Sequence, residues 1–279
     1  AGRNIVQGLG PAIEHPFNAT LGPYFTLAAF AGQRPQVPTR LYLNYPPGFP
    51  LLLTVPQWLA LPDFFMLPLL STLGVLLIYF LGRLLFDRWV GLLGAAIVAL
   101  TPDYLKWGSA FWADLPGTCC IVGAMVAYVA AWRQKIRARR LLLCAGAGVL
   151  VVGAILIKYS NALVLWPMLA YAILTQRKAM FGHAANWLFA AIIVLGLFGL
   201  GIYNQALYGS PLETHYSPSR SGFDFSIFDL SYALGPSPVD GYSLRGIAET
   251  VWKNISWLLL LAVIGMNRGT HESGTLLEG

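Results

Sequence analysis

Charged residues are scarce in this sequence. Of its 279 residues only 11% are Asp, Glu, Lys or Arg, whereas 57% are hydrophobic. A soluble globular domain carries about 25% charged residues, so the composition argues against that class. Apolar runs of membrane-spanning length recur along the chain, and they lack the period-two alternation that spanning strands require. The sequence therefore predicts a polytopic membrane protein built from helices.

Cysteine and the common catalytic motifs are also rare or missing. The three cysteines, Cys119, Cys120 and Cys144, all lie in apolar runs without a CxxC or Cys/His pattern, which argues against a disulfide framework or a zinc site. No phosphate loop, dinucleotide fingerprint, nucleophile elbow or HExxH motif is present. The chain begins with Ala1 and has no signal-peptide pattern, so we interpret it as an N-terminally truncated fragment.

The apolar runs predict an all-α polytopic fold with about seven transmembrane helices and an outer juxtamembrane segment. Residues 1–47 are interrupted by Gly, Pro and Asn, and the apolar piece 49–61 contains two prolines and is too short to span. The predicted spans are 64–81, 89–100, 115–132, 141–157, 162–174, 187–207 and 252–266.

These spans divide the chain into five regions. They are an outer amphipathic and juxtamembrane segment (1–62), a transmembrane core (63–207), an outer loop (208–250), a last transmembrane helix (251–268) and a polar tail (269–279).

Basic residues are distributed unevenly between the connecting turns. If residues 1–62 lie outside, the predicted cytoplasmic loops hold ten Lys or Arg, whereas the short outer turns hold only Lys106 and Lys158. This asymmetry fits the positive-inside rule, and the reverse orientation would invert it. The turn at 101–114, the Lys158 turn and the 208–250 loop are therefore predicted to share the outer face.

Asp114 is the first candidate for chemistry, in the polar and aromatic stretch TPDYLKWGSAFWADLPGT (101–118). Asp is favoured at a helix N-cap, and Pro116 is tolerated in the first turn, so the residue could be a structural cap. A carboxylate at the mouth of a membrane helix could instead face a cavity, where it would orient or deprotonate a hydroxyl. Local sequence leaves both interpretations open.

Lys158 interrupts an apolar run, and Lys106 lies among Trp and Tyr residues of the same predicted face. Either side chain could be a lysine that snorkels to the interface. Either could also bind a lipid phosphate as a point charge, and the positive-inside bias disfavours a basic residue in a short outer turn without a reason. We expect Asp114 and Lys158 to line one outward-opening cavity.

Three further residues, Tyr45, Tyr159 and His215, are candidates for substrate binding. Tyr45 could stack on a sugar ring or belong to an interfacial aromatic belt. His215, two residues after Glu213, could contribute to a divalent metal site or an acid/base pair, although solvated loop residues would have the same pattern. No cofactor is otherwise indicated.

Several segments in order resemble the membrane-embedded glycosyltransferases of the C-type fold, the group of the protein O-mannosyltransferases and the lipid A aminoarabinose transferases. They are AGRNIVQGLG, NYPPGFPLLL, LLIYFLGRLLFDRWVGLLGAAIVALTPDYLKWGSAFWADLP, LIKYSNALVL and NQALYGSPLETHY. The resemblance covers roughly residues 1–215.

The resemblance implies a transfer from a polyprenyl-phosphate-linked sugar to a lipid, glycan or protein acceptor on the extracytoplasmic face, with inversion. It matches Asp114 to a family acid, here a supporting one, and Lys158 to a family cation. The main base would lie upstream of Ala1, so the fragment alone is expected to be inactive. Asn44 and Tyr45 depart from the family pattern before its Pro-Pro segment, which leaves a metal or phosphate role there unsupported.

A bacterial or archaeal plasma membrane is the expected location. The excess of basic residues is expected to serve membrane topology, so no nucleic-acid partner is predicted. A non-enzymatic transporter or flippase of lipid-linked glycans is the alternative function. It predicts polar residues midway along the spans and pseudo-symmetric repeats, and neither is clear in the sequence.

Overall fold

A computed structural model describes residues 5–6, 13–14, 33–34, 37–41, 46–109, 113–208 and 210–211. The chain divides into two compact units, one of residues 1–98 and 106–223 and the other of residues 99–105 and 224–279. All the contacts discussed below lie within the first unit. The predicted span 252–266, the polar tail and nearly all of the predicted outer loop lie outside the described residues, so those boundaries stay predictions.

Helices dominate the described residues. Three short 3-10 helices accompany them, at Asp63–Phe65, Tyr159–Val164 and Arg177–Gly182. The α-helices are α1 (Gly48–Leu52), α2 (Thr54–Trp58), α3 (Met66–Leu85), α4 (Arg88–Leu100), α5 (Pro102–Gly108), α6 (Asp114–Trp132), α7 (Arg137–Ile157), α8 (Leu165–Gln176) and α9 (Ala184–Tyr208).

Among the described residues, four helical segments are long and apolar enough to cross a membrane: Asp63–Leu85, Asp114–Trp132, Arg137–Ile157 and Ala184–Ala206. They confirm the helical membrane class. Two other predicted spans are shorter or broken. Helix α4 has 13 residues and ends before Pro102, since the residue before a proline disfavours helical geometry. The predicted span 162–174 is divided between a 3-10 helix and α8.

A small antiparallel sheet lies in the N-terminal segment, where the sequence suggested only loops and an amphipathic stretch. Its strands, β1 (Ile13–Glu14), β2 (Gln33–Arg34) and β3 (Val37–Leu41), are ordered β1-β3-β2. Ile13 is opposite Leu41, and Gln33 pairs with Leu41 from the other side. The β1–β3 pairing joins residues that are far apart in sequence and depends on the fold of the chain, so local pattern gave little sign of it.

Helix α6 lies at the centre of the bundle, between α3 and α7, and α7 also packs on α9. Small residues allow these close approaches. A Cβ on Gly123 of α6 would lie 3.3 Å from Leu150 of α7, and a Cβ on Gly148 of α7 would lie 3.1 Å from Ile192 of α9. Without a hydrophobic driving force between helices in lipid, such close van der Waals packing carries much of the association.

The contacts also fix the direction of each helix. Cys119 Sγ reaches the Leu70 carbonyl near the start of α3, and Arg133 donates to the Leu84 carbonyl near its end, so α3 and α6 run parallel. Helices α7 and α9 are parallel too, because Gly148 meets Ile192 and Tyr159 meets Asn204. Helices α6 and α7 are antiparallel, since Gly123 meets Leu150 and Gly117 meets Ile157.

These directions define two ends of the bundle. The Lys158 end contains Asp114, Lys158, Tyr159 and Asn204, and the basic end contains Arg133, Arg140, Gln176 and His183. Because α3 and α6 are parallel, the chain has to return between them, and the same holds between α7 and α9. Because α6 and α7 are antiparallel, the Asp114 turn before α6 and the Lys158 turn after α7 share one end of the bundle, as the alternation of predicted spans requires.

Candidate functional site

Asp114 is the first residue of α6 and does not cap it. The N-cap position is Ala113, in helical geometry and with no side-chain capping bond. The capping interpretation of Asp114 is therefore wrong in this structure. A carboxylate in the first turn still interacts favourably with the partial positive charge of the helix N-terminus. Its oxygens remain available to a partner outside the helix.

That partner is Lys158, whose Nζ donates to Asp114 Oδ1 over 2.7 Å. The two residues are 44 positions apart in sequence, and their side chains are 36% (Lys158) and 53% (Asp114) exposed. Ion pairs this exposed contribute about 1 kcal/mol or less to folding stability. The ion pair therefore adds little to folding stability. Its main effect is to fix the positions of the two charged groups.

The backbone after α7 holds Lys158 in place. Lys158 is extended (φ −155°, ψ 124°), and its N–H donates to the Ala154 carbonyl over 3.0 Å. Asn161 N–H donates to the Lys158 carbonyl over 3.0 Å, and Asn161 Nδ2 donates to the same Ala154 carbonyl over 2.9 Å. These bonds satisfy carbonyls that the helix end would otherwise leave without partners.

Residues 46–50, the described part of the NYPPGFP stretch, pack directly beside this turn. Gly48, the first residue of α1, lies so close that a Cβ there would be 2.5 Å from the Leu156 carbonyl carbon and 2.7 Å from Ile157 N. Pro46 and Pro116 are both fully buried. Only glycine permits backbone to approach backbone so closely. This role of Gly48 escaped the sequence analysis, and its signal was the glycine directly after two prolines.

A second polar contact adjoins the first. Asn204 of α9 is only 3% exposed, and its Oδ1 accepts from the Tyr159 hydroxyl over 3.4 Å. Its Nδ2 donates to the Pro211 carbonyl over 3.3 Å. Burial raises the pKa of Tyr159, an effect that the bond with Asn204 partly offsets. The phenol therefore stays protonated at neutral pH and can donate. Sequence analysis missed Asn204.

Of the remaining candidate residues, the structure describes some, and others lie outside the described residues. Lys106 lies in α5 and is exposed. The carbonyl of Gly108, the last residue of that helix, accepts from Ser71 Oγ at the beginning of α3 over 3.3 Å. Tyr45, Glu213 and His215 lie outside the described residues. Within the described ranges no group of three His, Cys, Asp or Glu side chains could hold a metal ion. The roles assigned to Asp114, Lys158, Lys106, Tyr45, Tyr159 and His215 stay predictions, as does the metal.

Comparison with known proteins supplies the family. The model of the dolichyl-phosphate-mannose-protein mannosyltransferase family matches residues 60–202, just over half of the chain. No curated protein and no solved structure matched. The matched stretch contains both Asp114 and Lys158. It also contains three of the four spanning segments in full and the fourth up to residue 202. The chain therefore belongs to the dolichyl-phosphate-mannose-protein mannosyltransferase family of membrane glycosyltransferases.

Proposed function

We propose that this protein transfers a sugar from a polyprenyl-phosphate-linked donor to an acceptor on the extracytoplasmic face of a bacterial or archaeal plasma membrane, with inversion at the anomeric carbon. The Asp114–Lys158 ion pair is the observation that carries the proposal. It puts a carboxylate and an ammonium side by side, half exposed, at the end of the bundle opposite the basic end. The acceptor is a hydroxyl-bearing lipid, glycan or protein.

Lys158 serves the leaving group in this mechanism. When the bond from the anomeric carbon to the phosphate oxygen breaks, the departing lipid phosphate takes the electron pair and its negative charge has to be stabilised. An ammonium has three N–H donors, and Asp114 occupies one of them. Two donors remain for phosphate oxygens, so Lys158 can bind the donor without leaving Asp114.

Asp114 positions that lysine and supports the acceptor side. Its contact over 2.7 Å fixes the direction of a side chain that would otherwise be flexible. Sugar transfer passes through an oxocarbenium-like state, near which a carboxylate is also favourable. The acceptor oxygen forms the new bond to the anomeric carbon, and its proton passes to a carboxylate base that we expect upstream of Ala1.

Transfer assays on the full-length protein in liposomes test this proposal, with polyprenyl-phosphate mannose as donor and a cell-envelope extract as acceptor. We expect Lys158→Ala to lower kcat/KM about 10- to 100-fold, the range expected for losing one charge-assisted hydrogen bond. Lys158→Arg should retain more activity, since the positive charge remains. Asp114→Asn should lower kcat/KM about tenfold, because the amide holds the lysine less firmly.

Asp63→Asn is the matched control. Asp63 lies in the 3-10 helix before α3, and its contact, at 3.4 Å, is with Gln57. This variant should stay within about twofold of the wild type, as surface substitutions usually change little. Unchanged transfer in both Asp114→Asn and Lys158→Ala would reject the assigned roles. A wild-type protein that binds the donor and moves it across the bilayer without sugar transfer would instead indicate a transporter.

A further inference from the structure

A polar and aromatic cluster lies at the basic end of the bundle, away from the site described above. It joins the end of α6, the beginning of α7, the end of α8 and the beginning of α9. Lys158 follows the other end of the 21-residue helix α7, so about 30 Å of helix separates it from Arg140. The members of the cluster are Tyr128, Trp132, Arg140, Gln176, His183 and Asn186.

Asn186 is the hydrogen-bonding centre of this cluster. Its Oδ1 accepts from the Tyr128 hydroxyl over 2.9 Å. Its Nδ2 donates to Gln176 Oε1 over 2.7 Å and to the Met180 carbonyl over 2.8 Å. The aromatic side chains of the cluster adjoin this hydrogen-bonded group. The centroid of the Trp132 ring lies 6.2 Å from that of Tyr128 and 5.0 Å from that of His183. The four helices therefore meet in one connected polar core.

Several buried N–H donors of this core lack an acceptor in the described part of the chain. Trp132 Nε1, Arg140 Nε and Gln176 Nε2 are buried and have no hydrogen-bond partner within the described residues. The Trp132 and Gln176 side chains both lie near the Tyr128 hydroxyl, which itself donates to Asn186. All three unmatched atoms are N–H donors. Buried donors without partners are costly, so an acceptor-rich ligand is the natural complement.

The charge of the cluster further limits the class of ligand that would fit. The Arg140 guanidinium lies 5.3 Å from the centroid of the Trp132 ring and donates to the Gln134 carbonyl. In the described part of the chain no carboxylate lies within ion-pair distance of Arg140. Other basic residues extend exposed from the same end of the bundle: Arg133, Lys135, Arg137, Arg139 and Arg177. The ligand should therefore be an anion with several acceptor oxygens.

We propose that this cluster is a binding site for a phosphate-bearing anion, such as the phosphodiester of an anionic phospholipid in the adjacent leaflet. Three spanning segments end or begin here, which places the cluster at headgroup depth. Arg140 supplies charge and a directional N–H, and Trp132 and Gln176 supply neutral donors. The site would tie four helices together when occupied. It is separate from the proposed sugar-transfer site and does not depend on it.

The melting temperature of the detergent-solubilised full-length protein tests this site, measured against rising concentrations of short-chain phosphatidylglycerol. We expect a saturable increase that phosphatidylcholine, with no net negative charge, does not produce. Arg140→Gln should raise the half-saturating concentration about tenfold, as expected for one lost charge-assisted bond. Trp132→Phe keeps an aromatic ring at this position but removes the five-membered ring of the indole with its N–H, and should raise that concentration about threefold. This second variant keeps the test valid if Arg140→Gln fails to fold.

Arg139→Gln is the matched control, because it removes the same charge from the neighbouring, exposed position. It should change the half-saturating concentration less than twofold, as expected for an exposed charge. Equal weakening by Arg139→Gln and Arg140→Gln would overturn the site, since any basic surface behaves that way. The absence of a saturable shift in the wild type would overturn it too. An Arg140-dependent shift with inorganic phosphate alone would support the anion site and assign it to a free phosphate.

Discussion

Asn204 is a buried amide that joins two parts of the chain beside the candidate site. It bonds to the Tyr159 hydroxyl on one side and to the Pro211 carbonyl on the other. Asn204→Ala should destabilise the protein by about 1–3 kcal/mol, because it leaves partners without hydrogen bonds in a buried place. Tyr159→Phe should cost less, about 0.5–1.5 kcal/mol, because it removes the hydroxyl that donates to Asn204 and keeps the ring. Reversible unfolding in mixed micelles would measure both.

The double variant provides the control for that pair. If the two side chains interact as described, the combined loss should be smaller than the sum of the single losses. Strict additivity would contradict a direct Tyr159–Asn204 bond. The raised pKa of Tyr159 sets a pH limit as well. The folded protein favours the neutral phenol of Tyr159. The contribution of this phenol to folding stability is complete below the unfolded-state pKa of about 10 and is lost as the pH rises through the folded-state pKa.

The residue scale also shows what sequence could and could not supply. The types and approximate positions of Asp114 and Lys158 stood out, since charges are conspicuous at the ends of apolar runs. Their contact could not be read from the sequence, because it joins residues 44 apart through two helix ends. The capping interpretation failed because α6 begins at Asp114, one residue earlier than that interpretation requires. Single-residue boundaries are decided by backbone geometry rather than by composition.

At the scale of elements, Gly196 is one of the glycines on which the crossing of α7 and α9 depends. A Cβ on Gly196 would overlap the Val152 side chain, a stiff β-branched residue on the facing helix. Gly196→Ala should therefore destabilise the protein by about 1–3 kcal/mol, despite the better helix propensity of alanine. Thermal unfolding in detergent, followed by circular dichroism, would measure the loss.

Gly199 is the matched control on the same helix, because a Cβ there meets no described atom within 4 Å. Gly199→Ala should leave stability unchanged or raise it by up to about 1 kcal/mol. Adding Val152→Ala to Gly196→Ala should restore part of the lost stability, since it removes the overlapping methyl groups. If Gly196→Ala and Gly199→Ala behaved alike, the close crossing would be refuted.

The elements that differ from the sequence prediction are those whose length depends on contacts with neighbouring parts of the chain. Apolar runs predicted α3, α6, α7 and α9 well, because spanning helices are long and uniformly apolar. The predicted span 89–100 is short for a spanning helix, and Pro102 starts a separate helix instead of extending α4. The close approach of Gly82 to Gly91, where a Cβ would lie 2.7 Å from the Gly91 Cα, holds α4 against α3. No local pattern encodes that contact.

At the scale of the whole molecule, two independent observations agree. Charge counting in the sequence assigned the Asp114 and Lys158 turns to the same face, and the helix contacts gather both residues at one end of the bundle. The prediction that both turns share one face succeeded because it depends on the total number of basic residues, which an error in a single helix boundary changes little. The side of the membrane that each end faces rests on the charge asymmetry alone and is therefore open to a direct test.

Labelling of introduced cysteines provides that test. Ser160 is exposed at the Lys158 end, and Ile136 is 53% exposed in the turn before α7 at the basic end. On intact cells, a membrane-impermeant maleimide should label Ser160→Cys, whereas Ile136→Cys should react only after permeabilisation, because positively charged turns stay in the cytoplasm. The wild type should react little in both conditions, since Cys119 and Cys144 are buried and Cys120 is partly buried.

Each outcome of this labelling bears on a different inference. The opposite pattern would place the Asp114–Lys158 pair in the cytoplasm and remove the extracytoplasmic site from the proposed function, while the family membership would stand. Equal labelling of both positions on intact cells would contradict the arrangement of the helices itself, because Ser160 and Ile136 lie beyond opposite ends of α7, a helix long enough to span the bilayer. The expected pattern would bring charge asymmetry, helix direction and the proposed outward transfer of sugar into agreement.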